Sequence, residues 1–176
     1  GGPQEFAPSG TTIIDAGGAT SGIKVESSDV VITGFKIINA QYGINFDSWG
    51  TGHHNVEISY NTIEGCWTGI RMWAWNPGEM DYAYIHDNVI KDNLDYGIYM
   101  RYSVGSIITN NDFINNAPGS YQAQNPDGGL PANNWDHNYW SDWTGPDADM
   151  DGIVDDPTPN VVGWFIRAYN QLQCVD

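Results

Sequence analysis

The chain reads as an all-β protein, a parallel β-helix of about five coils, on three observations. A Gly-Ile pair opening a short alternating segment recurs at Gly22-Ile23, Gly43-Ile44, Gly69-Ile70 and Gly97-Ile98, at intervals of 21, 26 and 28 residues. A second marker keeps step with it: Phe35-Lys36-Ile37, Asn61-Thr62-Ile63, Asn88-Val89-Ile90, Asn111-Asp112-Phe113 and Asn138-Tyr139-Trp140 follow one another at 26, 27, 23 and 27 residues. Between the markers lie short β-branched runs, too brief for a sandwich and too rich in β-formers for a helix.

Taken in order, residues 1–10 form a short, Pro-containing extension poorly suited to capping, so the first coil at Thr11–Ile14 is expected to leave an accessible strand edge. Residues 11–143 carry the coils. Each pairs two short strands, as in Ser28–Ile37, then Val56–Ile58 with Thr62-Ile63, Tyr82–Ile85 with Val89-Ile90, and Ser106–Ile108 with Phe113-Ile114. A coil this short cannot bury its own apolar side chains, so successive coils must stack in parallel, with Ile23, Ile44, Ile70 and Ile98 as one internal ladder. The recurrent Asn suits a tight turn, because it tolerates left-handed dihedrals and bonds its copy in the next coil. Residues 144–158 form an acidic loop, and residues 159–176 a C-terminal segment in which Val161, Val162, Phe165, Ile166, Tyr169 and Leu172 recur at helical spacing behind a candidate N-cap, Asn160. This short amphipathic helix would plug its own solenoid or dock on a neighbour. No linker divides the chain, and 1–176 is one domain.

Composition narrows the partners. With 22 acidic and 6 basic residues the formal charge is −16, and Lys24, Lys36, Lys91, Arg71, Arg101 and Arg167 are scattered rather than clustered. Nucleic acid and anionic membrane surfaces are poor partners for such a protein. No apolar run approaches the roughly 18 residues needed to cross a bilayer, so membrane insertion is not expected. The start at Gly1-Gly2-Pro3, without a signal peptide, reads as the mature or trimmed form of an exported protein.

The coils between Gly22 and Asn116, with the run from Asn138 to Gly152, resemble the NosD-like branch of right-handed parallel β-helix proteins. The resemblance covers roughly three quarters of the chain by the repeat criterion. It implies right-handed coils, export to the cell surface or the extracellular space, and a tie to surface polysaccharide or envelope structures. It implies no single activity, since the fold hosts lyases, hydrolases, binding modules and inert scaffolds. Relatives commonly carry many more coils than the five or so visible here.

Asp147-Ala148-Asp149-Met150-Asp151-Gly152-Ile153-Val154-Asp155-Asp156 is the most chemically specific stretch. Alternate carboxylates followed by Gly match the front of an EF-hand-like calcium loop, and without an ion five crowded aspartates would repel one another. The back of the loop departs from an EF-hand, with Pro157-Thr158 where a bidentate Glu would stand. The expected calcium ligands are Asp147, Asp149, Asp151, Ile153, Asp155 and Asp156, in a structural role. Cys66 and Cys174 would form a disulfide pinning the C-terminal segment, or remain unpaired thiols or bridge to another molecule; the spacing leaves these open.

An active site is harder to find. Arg71 and Arg101 fall at nearly matching places, with Glu57, Asp81 and Asp87 in plausible lateral reach, but no motif joins them, and a lyase or hydrolase is the third reading. His53 and His54 are adjacent and point oppositely on an extended chain; like His86 and His137, they read as exposed or turn-bonding imidazoles. Eight Trp and ten Tyr exceed what a narrow Ile/Val core absorbs. Trp73 and Trp75 alternate onto one face before a Pro-Gly turn and, with Tyr82 and Tyr99, make a candidate carbohydrate or subunit contact. The sequence therefore favours a non-catalytic surface module that assembles with copies of itself, with polysaccharide binding as the alternative.

Overall fold

The computed structural model describes residues 11–47, 52–76, 79–125 and 133–142, together with a strand at Phe165–Ile166. The chain enters at β1 (Thr12–Asp15) and then winds through five stacked levels. The first holds β2 (Ser21–Val25), β3 (Val31–Thr33) and β4 (Phe35–Ile38). The second holds β5 (Tyr42–Asp47), β6 (His53–His54), β7 (Glu57–Ser59) and β8 (Thr62–Glu64). The third holds β9 (Thr68–Trp73), β10 (Met80–Asp81), β11 (Tyr84–His86) and β12 (Val89–Lys91). The fourth holds β13 (Tyr96–Arg101), β14 (Ser103–Val104), β15 (Ile107–Thr109) and β16 (Asp112–Ile114). The last holds β17 (Ala123–Gln124), β18 (Asn134–Asp136) and β19 (Tyr139–Trp140), and β20 is Phe165–Ile166.

Corresponding strands align into lateral sheets: a first of order β1-β4-β8-β12-β16-β19, a second of order β2-β5-β9-β13-β17-β20, a third of order β18-β15-β11-β7-β3 and a short fourth of order β14-β10-β6. From β2 to β17 the chain makes about four turns. Every pairing is parallel except β17 with β20, so the expected all-β solenoid is the fold.

The registers stack like on like. Ile23, Ile44, Ile70 and Ile98 pair in the second sheet. Ile37, Ile63, Ile90 and Phe113 do so in the first, and Ile32, Ile58, Ile85 and Ile108 in the third. Almost all of these side chains are fully buried, so the core is one column shared by all levels. The Gly of the Gly-Ile marker is required by space rather than by φ: a Cβ on Gly69 would lie 2.5 Å from the Gly97 carbonyl oxygen and 2.9 Å from Ile90 Cγ2. Near the C-terminal end the filling turns aromatic. Trp140 stacks on Phe113 with ring centroids 4.3 Å apart, and Trp135 lies 6.2 Å from both. The core is therefore wider there than an Ile/Val column, and it absorbs two of the surplus tryptophans.

The corners are columns of left-handed residues. Between the third and first sheets stand Gly34, Tyr60, Asp87, Asn110 and His137, with φ of 79°, 56°, 53°, 54° and 50°. The marker asparagines follow these residues and do not themselves take the left-handed conformation, contrary to expectation. Their side chains are instead buried and tie one level to the next: Asn88 Oδ1 accepts from the Asn61 N–H at 3.0 Å, and Asn111 Oδ1 from the Asn88 N–H at 3.1 Å. Each Nδ2 also donates to a main-chain carbonyl, Asn88 Nδ2 to Ile58 at 2.8 Å. A second ladder runs five residues later, where Asn93 Oδ1 caps the Cys66 N–H and Asn116 Oδ1 the Asn93 N–H.

At the N-terminal end, β1 is the edge of the first sheet, with Ile13 59% exposed. At the other end, Phe165–Ile166 lies inside the segment expected to be helical, yet is extended and pairs antiparallel with Ala123–Gln124. The free edge of β17 offers main-chain partners that a helix could not use. The rest of that segment lies outside the described residues.

Candidate functional site

The second sheet has the longest strands, six residues each in β5, β9 and β13. With Ile44 and Phe46 turned inward, alternation sends Asn45 and its counterparts on neighbouring strands outward. Gly43 also faces the core, beside Ile63 and Cys66, so the alternation breaks there and Tyr42 lies on the outer face against Arg71. One outer row is Lys24, Asn45, Arg71, Tyr99 and Gln124; another is Tyr42, Thr68 and Tyr96; and Trp73 pairs with Arg101.

Arg71 is the centre of this face. Its Nη1 donates to Asn45 Oδ1 at 3.0 Å, and Asn45, 3% exposed, in turn donates to Ser21 Oγ at 3.1 Å. The guanidinium carbon lies 4.7 Å from the Tyr42 ring centroid and 4.8 Å from that of Trp73, a geometry in which the ring quadrupoles hold the cation. Arg101 sits 5.6 Å from Trp73 and 5.1 Å from Tyr102. Trp75, 47% exposed, packs on Trp73 at 4.5 Å. The turn presenting it is tied by Glu79, whose carboxylate accepts from the Trp75 and Asn76 N–H groups at 3.0 and 3.2 Å. Tyr96 and Tyr99 lie 5.6 Å apart, and burial, with Asp95 and Tyr99 nearby, pushes the Tyr96 hydroxyl above its ordinary range. Chemically this is a row of ring faces with a fixed cation and amide groups between them.

Of the expected contact residues, Trp73, Trp75 and Tyr99 are brought onto this face. Tyr82 is not: it occupies the corner between the fourth and third sheets at φ 59°. Tyr42, Asn45 and Tyr96 were missed by sequence reasoning, though a signal existed. Tyr42 and Tyr96 each precede a Gly-Ile marker, and Asn45, Arg71 and Tyr99 each follow one. The expected calcium ligands Asp147, Asp149, Asp151, Ile153, Asp155 and Asp156 lie outside the described residues, as does Cys174. Cys66 is buried in the wall, where desolvation raises its thiol pKa.

The arginines and the acids expected within lateral reach of them are separated. Glu57 and Asp87 belong to the third sheet and its corner, where they flank His86. Nδ1 of His86 lies 2.7 Å from Asp87 Oδ2 and Nε2 3.3 Å from Glu57 Oε1. Tyr84 stacks on the imidazole at 4.0 Å. His86 is thus a buried bridging group rather than an exposed one, because two carboxylates and a ring face enclose it. Asp81 lies on the fourth sheet, 4.0 Å from His54, and its Oδ1 is buried without a hydrogen-bond partner. On the first sheet Glu64 bridges Lys36 at 2.6 Å and Lys91 at 3.3 Å. A groove of about 860 Å³ at the corner between the first and second sheets is walled by Gly17, Gly18, Gly65 and Ala40, with Trp67 and Leu94 exposed at its rim.

Stacked parallel coils with a lateral aromatic face define a parallel β-helix repeat protein. The chain belongs to the NosD family, described as periplasmic copper-binding protein (NosD), whose sequence profile matches residues 21–145 of the 176. Comparisons with curated proteins and with solved structures gave no match. The described residues do not fit the copper of the family's description. Among them no three His, Cys, Asp or Glu side chains converge to hold a metal ion. The softer donors are committed to packing: Met72, Met80, Met100 and Cys66 are all buried in the core.

Proposed function

We propose that this chain is an exported, non-catalytic solenoid that holds polysaccharide along the outer face of its second sheet. The observation that carries the reading is the convergence of Tyr42, Trp73, Trp75, Tyr96 and Tyr99 on one side around the fixed Arg71–Asn45 pair. Flat rings stack on the apolar faces of sugars, and amide and guanidinium groups between them meet the hydroxyls. The coil spacing of about 4.8 Å repeats these groups along the axis, which suits an extended chain over a small ligand. The periplasmic setting in the family's description supports export. Affinity electrophoresis against a panel of soluble polysaccharides tests the reading. Retardation of the wild type, lost in Trp73→Ala and Tyr99→Ala, is expected; unretarded wild type throughout the panel overturns it.

A second reading, self-assembly into a surface layer, sheath or filament stabilised by calcium at Asp147–Asp156, draws on β1. Among the described residues that strand pairs on one side only, with β4, and open edges template further strands. Sedimentation with calcium and then with a chelator tests it; a monomer under both conditions removes this reading.

A further inference from the structure

We infer that the face around Arg71 takes an acidic polysaccharide, its guanidinium receiving a sugar carboxylate. This rests on the glycan-binding reading above and specifies the ligand class. In a chain of 22 acidic and 6 basic residues, nearly every cation would be expected to have a carboxylate partner. Lys24 pairs with Glu26, and Lys36 and Lys91 share Glu64. Arg71 is different. Among the described residues its partners are the Asn45 amide oxygen and the rings of Tyr42 and Trp73, and no carboxylate.

Holding a guanidinium in this way fixes its plane without neutralising it. The Asn45 bond occupies one of five N–H donors, and the two rings limit the side chain's rotation. A planar carboxylate accepts two parallel N–H bonds from such a fork, an interaction stronger than a neutral hydrogen bond and more specific in direction. The protein's net charge of −16 does not forbid this. Exposed charges are screened over about 8 Å at physiological ionic strength, so the local cation decides at contact distance. Tyr99, cross-strand from Arg71, and Trp73, two residues along β9, place ring faces beside the charge, where the sugar bearing the carboxylate would lie.

The test uses the whole chain and oligosaccharides of galacturonate, glucuronate and mannuronate, each beside its methyl ester, which keeps the ring and removes the charge. Titration calorimetry is expected to show at least one acid bound about tenfold or more tighter than its ester, with Arg71→Gln abolishing the difference and Arg71→Lys retaining part of it. Thermal melts of both variants confirm that the fold persists. Equal binding of acid and ester, or a preference that survives in Arg71→Gln, overturns the inference while leaving the glycan-binding reading intact. Binding of no acid and no ester, together with no retardation by neutral polysaccharides, overturns both.

Discussion

Asn111 Oδ1 is shared by two donors of Asn88, the main-chain N–H at 3.1 Å and Nδ2 at 2.9 Å. Asn88 repeats the arrangement toward Asn61, at 3.0 and 3.1 Å. Replacing Asn88 with Leu strands the Asn61 N–H and the Ile58 carbonyl in a dry wall at once, each worth about 1–3 kcal/mol when left unsatisfied. Asn88→Leu is expected to lose about 2–4 kcal/mol in urea unfolding. A loss well below that range would show the ladder to be dispensable.

Gly69 and Gly65 make a contrasting pair. A methyl on Gly69 meets backbone at 2.5 Å, whereas around Gly65, at φ 62°, nothing lies within 4 Å. Gly69→Ala should therefore destabilise by about 1–3 kcal/mol through overpacking. Gly65→Asn should be close to neutral, because Asn accepts the left-handed conformation. Melting curves of the two variants check this, and equal melting temperatures would contradict it.

His53 is buried on the fourth sheet, and that burial, with the charge of neighbouring His54, holds its imidazole below the ordinary 6.5, partly offset by Glu26. The folded state thus binds the proton less readily than the unfolded chain. Its contribution to stability is present above the unfolded value and is lost as pH falls through the lower folded value. Between about pH 7 and about pH 5 the melting temperature should fall, and fall less steeply in His53→Gln. Parallel slopes would rule this histidine out as the source.

Glu64 links β4 and β12 electrostatically through Lys36 and Lys91. Partial burial alone would raise its carboxyl pKa, but the hydrogen bonds and charges of the two lysines together outweigh that and hold it below the usual carboxylate range. Glu64→Gln should cost about 1 kcal/mol at low salt and less as salt is added. A salt-independent difference in denaturant midpoint would point to packing instead.

Much of this was legible because the repeat is written twice, in Gly-Ile and in Asn. Two phased markers fixed the direction of stacking, and the Ile23-to-Ile98 ladder followed from the same phase. What the repeat does not encode is how many residues separate one sheet from the next, so nothing in it marks the corner that carries Tyr82 away from the face of Trp73 and Tyr99. The His86 bridge was hidden for the same reason: Glu57 and Asp87 are 30 positions apart and meet only through register. The second asparagine ladder escaped notice because its lowest rung is Cys66, a residue whose side chain announces chemistry rather than turn geometry. The charge of Arg71 suggests acidic partners in a sequence, whereas Asn45 and Tyr42, which hold it, look like ordinary strand residues.

The change of core filling from Ile90 to Phe113 and Trp140 bears on how such a protein lengthens. A duplicated stretch from Asn61 to Asp87 would seat Ile on Ile above and below it, so a copying event there yields another usable storey. Above Phe113 the same stretch would set an aliphatic layer between the stacked Phe113 and Trp140 rings and open a void there. Growth by internal copying is thus easiest in the aliphatic storeys, where each new layer meets its own kind.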